Sequence, residues 1–162
     1  MKKIELGQTI TVLANLGVIA GIFFLILELR QNTVSVRSAA SQGVQDQITA
    51  VYDMLLDERM AGILRKGYDD AKTLDPTERM MFYSFWEAGF QAYQNLFYQT
   101  REGVIGPERT DGWWQHLRNN LEFPGVRVYW EQRRFMLTPE FQSFIETDVL
   151  TREPSPNLLI EP

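Results

Sequence analysis

The nineteen residues from Thr9 to Leu27 carry no charge, and the stretch from Leu16 to Leu27 is wholly apolar. It stops at Glu28, Arg30 and Gln31. At about 1.5 Å per residue, a helix of this length covers roughly 28 Å, close to the hydrocarbon thickness of a bilayer. A helix in the core of a soluble protein normally keeps one polar stripe, and Leu16 to Leu27 has none. The segment therefore reads as a single transmembrane helix, with residues 1–30 as the anchor. The competing expectation is a fully soluble helical bundle with residues 9–27 as its core.

Met1-Lys2-Lys3 has the charged start of a signal sequence. The small residues Ser38-Ala39-Ala40-Ser41 fall about a dozen positions past the apolar run, beyond Arg30, too late for cleavage. The anchor is thus expected to be uncleaved. Lys2 and Lys3 on one side balance Arg30 and Arg37 on the other, which leaves the side of the following domain open. Glu28 and Arg30 stand where the helix would leave the membrane. Gly17 and Gly21 form a GxxxG pair, which lets a second helix backbone approach closely. Asn15 lies roughly 200° around the helix from Gly17, so its amide would meet a neighbour on another face. These three are the helix-packing candidates, toward a second copy or another membrane protein.

Beyond Arg30 the chain is acidic, with 13 Lys and Arg against 19 Asp and Glu. Nucleic acid requires a basic face, so it is not an expected partner. No cysteine occurs in the 162 residues, which removes disulfides, thiolate metal sites and thiol catalysis.

This part reads as helices throughout. Asn32 or Thr33 can cap a second helix, or the first can run through them. Val36, Ala40, Val44, Ile48, Val51 and Leu55 make one apolar stripe. A short helical turn is expected over residues 60–66. Asp75-Pro76-Thr77-Glu78 is a complete helix start: an Asp cap, Pro at the first helical position and Glu three residues after the cap. The helix that follows, over 76–101, carries Phe82, Trp86, Phe90, Tyr93 and Phe97 on one face, which suits the centre of a bundle. Pro107 opens a further helix with Trp113, Trp114, Leu117 and Leu121 inward. Another short helix is expected over 126–135, and a last one from Pro139. The expected layout is all-α: an anchor over 1–30, a helical domain over 31–151 and a loose tail over 152–162.

No catalytic or metal-binding constellation is readable, and no motif calls for a cofactor. His116, the sole histidine, has Trp113 where a Glu-x-x-His metal pair would need a glutamate, and is expected at a surface or interface. Arg127, Arg133 and Arg134 cluster around Trp130, as a solvated face with internal ion pairs or as a contact for anionic headgroups. One polar group stands out on the aromatic helix: Glu87, with Gln91 and Gln94 one and two turns on. With Trp86 these are the pocket candidates, for a small-molecule sensor or enzyme; the alternative is that they form the solvent edge of the helix.

Two passages, "LELRQNTVSVRSAAS" after the apolar helix and "GVRVYWEQRRFMLTPEFQSFIE" far downstream, resemble a family of small uncharacterised bacterial proteins. In that family one N-terminal membrane helix precedes a compact helical domain. The resemblance implies an inner-membrane location with a single pass. It implies no activity. The expected role is a binding or accessory subunit of a membrane assembly.

Overall fold

The structure is a computed structural model and describes residues 6–152. The expected tail falls almost wholly outside the described residues, as do Lys2 and Lys3. Among the described residues the fold is all-α, with no strand. The helices are α1 (Leu6–Asp53), α2 (Glu58–Asp69), α3 (Pro76–Arg101), α4 (Asp111–Leu121), α5 (Pro124–Arg133) and α6 (Pro139–Phe144). Short 3-10 turns at Met54–Leu56, Ala71–Thr73, Pro107–Arg109 and Arg134–Met136 join them, and a π turn, Ile145–Val149, follows α6. The chain divides into two compact units, residues 1–39 and 40–162.

Among its described residues the first unit is helix alone. Every residue from Thr9 to Ala39 is exposed, from Ile26 at 43% to Phe24 at 69% among the large apolar side chains of the uncharged stretch. A lone helix cannot shield its own surface, and each Leu, Ile or Phe left in water forgoes about 1.5–3 kcal/mol of burial. This is the one helix, among the described residues, long and apolar enough to cross a membrane. Thr33 does not start a new helix: its hydroxyl donates to the Leu29 carbonyl at 2.8 Å, one turn back within α1.

The second unit has a core of its own, and its buried apolar residues all lie at or beyond Val44. Helix α3 is the hub. Asp75 accepts from the Glu78 N–H at 2.8 Å, while the Glu78 carboxylate receives the Asp75 N–H at 3.2 Å, completing the capping box. Phe82, Trp86, Phe90 and Tyr93 are buried along it, as the stripe predicts. Phe90 stacks on Tyr129 of α5 with ring centroids 5.6 Å apart. Helix α2 is longer than the expected turn because Asp57 caps it, accepting from the Met60 N–H at 2.9 Å. Helix α5 starts at Pro124 rather than after Gly125, since Pro suits the first helical position. Arg118 is buried, and its Nε donates to the Val149 carbonyl at 2.7 Å, tying α4 to the π turn.

Candidate functional site

The second unit contains a cleft of about 550 Å³, open mouth included, of which the enclosed part is much smaller. Helix α3 makes one side. Phe85, Gly89 and Ala92 follow at spacings of four and three, so they share a face. Between the large rings of Phe85, Trp86 and Tyr93, the small Gly89 and Ala92 leave the space. The last turns of α1 bring Ile48, Val51 and Tyr52, α2 brings Tyr68, and α4 brings Trp113, His116 and Asn120.

The polar groups centre on His116. The Tyr93 hydroxyl lies 2.7 Å from His116 Nδ1. The Tyr52 hydroxyl lies 3.5 Å from Nε2, a long contact. Asn120 Nδ2 donates to the His116 carbonyl at 2.8 Å. Tyr93 is buried, so a hydroxyl proton without an acceptor there would be costly. Donation from Tyr93 to Nδ1 satisfies it, and the ring proton of neutral His116 then sits on Nε2, toward Tyr52. Burial lowers the His116 pKa, which keeps the ring neutral. Burial and the nearby Tyr52 push the Tyr68 phenol up to about 12, and burial raises Tyr93 as well. The lining includes no Asp, Glu, Lys or Arg, so the cleft is uncharged at neutral pH. Trp86, 4% exposed, also lines it. Its indole Nε1 is buried without an acceptor among the described residues, a state costing about 1–3 kcal/mol.

Of the four residues singled out on α3, Trp86 alone lines this cleft. Glu87 is half-buried in a separate surface depression with Arg79, Tyr83 and Arg133. Gln91 is exposed, and Gln94 Oε1 accepts from the Thr138 N–H at 2.7 Å, at the start of α6. The structure does not bring Glu87, Gln91 and Gln94 into one pocket. Asn15, Gly17, Gly21, Glu28 and Arg30 are all exposed along the first unit. A β-carbon at Gly17 or Gly21 would meet nothing within 4 Å. Of the arginine cluster, Arg127 lies 3.7 Å from Glu122, Arg134 pairs with Glu146, and Arg133 lies over the Tyr83 ring at 5.6 Å.

Tyr52, Tyr68, Gly89 and Asn120 are cleft residues that sequence reasoning passes over, and His116, expected at a surface or interface, lines the cleft instead. A glycine inside an aromatic helix is the one local signal for it. The partner of His116 stands 23 positions earlier, on another helix, where no spacing motif reaches. Among the described residues no group of His, Asp and Glu is placed to hold a metal ion. What the cleft offers is aromatic faces and O–H and N–H donors. Compared with known proteins, the chain matches no family model, no curated protein and no solved structure.

Proposed function

We propose that this chain is a single-pass protein of the bacterial inner membrane, whose N-terminal helix anchors an all-α binding domain serving as an accessory subunit of a membrane assembly. One observation carries the reading: the uncharged stretch Thr9–Leu27 is exposed along its whole length. Apolar side chains in that number need a nonpolar surrounding, and a bilayer supplies it over the right length. Glu28 and Arg30 then hold the helix end at the headgroups, where charge is solvated. Gly17 and Gly21 offer the close-approach face for a second copy or another membrane protein. The bacterial setting rests on the resemblance of the two passages quoted above.

Deleting residues 1–30 tests this. The remainder is expected to be soluble and cooperatively folded, because its core begins at Val44. Aggregation with loss of the near-ultraviolet signal of its tryptophans would instead make the deleted segment part of the core and overturn the reading.

A further inference from the structure

We propose that the cleft between α3, α4 and the end of α1 binds a small, flat, uncharged molecule bearing a carbonyl acceptor, of the chemical class of quinone headgroups. Three observations converge on this. The walls are aromatic: Tyr68, Phe85, Trp86 and Trp113 line the cleft, and Gly89, without a side chain, leaves a gap among them. Flat guests gain most from such walls, because stacking uses both faces. No ionised side chain lines the cleft, so a charged guest would lose its hydration without a counter-charge.

The third observation is the donor pair. His116 Nε2 and the Tyr52 hydroxyl stand 3.5 Å apart at the cleft, too far for a strong bond to each other. Tyr93 holds the opposite ring nitrogen at 2.7 Å, which directs the ring proton to Nε2; Asn120 Nδ2, 3.2 Å from Nε2, donates to the His116 carbonyl at 2.8 Å. A carbonyl oxygen seated between Nε2 and the Tyr52 hydroxyl accepts from both. Trp86 lines the same cleft. The inference does not depend on the membrane reading, since every lining residue lies at Ile48 or beyond.

The test uses the full chain in lipid nanodiscs, with 2-methyl-1,4-naphthoquinone as probe and 2-methylnaphthalene as its acceptor-free counterpart. Protein-free nanodiscs correct for partition into lipid. The indole N–H resonances of Trp86 and Trp113 report binding, and that of Trp130 reports an intact core. The quinone is expected to shift the first two saturably, at least tenfold more tightly than the hydrocarbon. His116→Phe is expected to remove that preference, and Gly89→Leu, which fills the gap, to remove binding. No saturable shift, or equal affinity for the two probes, would overturn the proposal. The comparison of the two probes decides it on the unmutated chain, whatever the variants do.

Discussion

The backbone carbonyl oxygen of Gly67, on α2, occupies the place where a β-carbon on Gly125, on α5, would stand. The two helices touch backbone to backbone at this pair, and neither position has room for a methyl group. A side chain on Gly67 would strike the Phe82 ring as well. Gly125→Ala must push the helices apart through a close-packed core. It is expected to destabilise the second unit by about 2–4 kcal/mol, read from urea unfolding followed by tryptophan fluorescence. Gly89→Ala has the opposite sign. Its methyl meets only the Trp86 ring, at 3.9 Å, and replacing a helix-interior glycine gains about 0.5–1 kcal/mol.

Acidification should weaken the second unit through His116. Burial holds its folded pKa below the ordinary imidazole value of about 6.5. The unfolded chain therefore binds the proton more readily than the folded one. The stability this group contributes is fully present above about pH 6.5 and is lost as pH falls through the folded pKa. The groups facing it are the neutral phenols of Tyr52 and Tyr93 and the Asn120 amide, none of which compensates the imidazolium charge. The urea midpoint is expected to fall between about pH 7 and about pH 5, and to fall less in His116→Gln. Equal slopes in the two proteins would contradict this.

The start of α3 depends on one reciprocal pair. Asp75 and Glu78 each accept the other's backbone N–H. Asp75→Ala leaves the Glu78 N–H of the first turn without its acceptor, and is expected to cost about 1 kcal/mol. Asp75→Asn keeps the acceptor and should recover most of that, measured as the shift in melting temperature.

If the anchor associates with a second helix, the glycine face is where it does so. Gly17→Ile places a branched side chain at the point of closest approach. Chemical crosslinking of the full chain in detergent is expected to show less dimer for this variant than for the parent. Unchanged crosslinking would remove Gly17 and Gly21 from the account.

The parts of this fold legible in the sequence are those whose cause is local. The cap, proline and glutamate before α3 announce its start, and its aromatic stripe is the buried stripe. The uncharged stretch announces a helix, though Thr33 reads equally as a cap; in α1 its hydroxyl bonds back to Leu29 and the helix runs on. The cleft is illegible for the complementary reason. Tyr52, Tyr93 and His116 belong to three helices, and only packing brings them together. Glu87 stands out in the sequence because a charge among aromatic residues is locally odd. Its place on the helix turns it to a surface depression beside Arg133.

The central claim is that Thr9–Leu27 lies in a membrane. Washing membranes of bacteria that express the full chain with alkaline carbonate tests it most directly, because the treatment strips peripheral proteins and leaves integral ones. The account predicts that the chain stays in the membrane pellet and that a chain lacking residues 1–30 is found in the soluble fraction. Release of the full chain into the carbonate supernatant, as a folded protein, would contradict it.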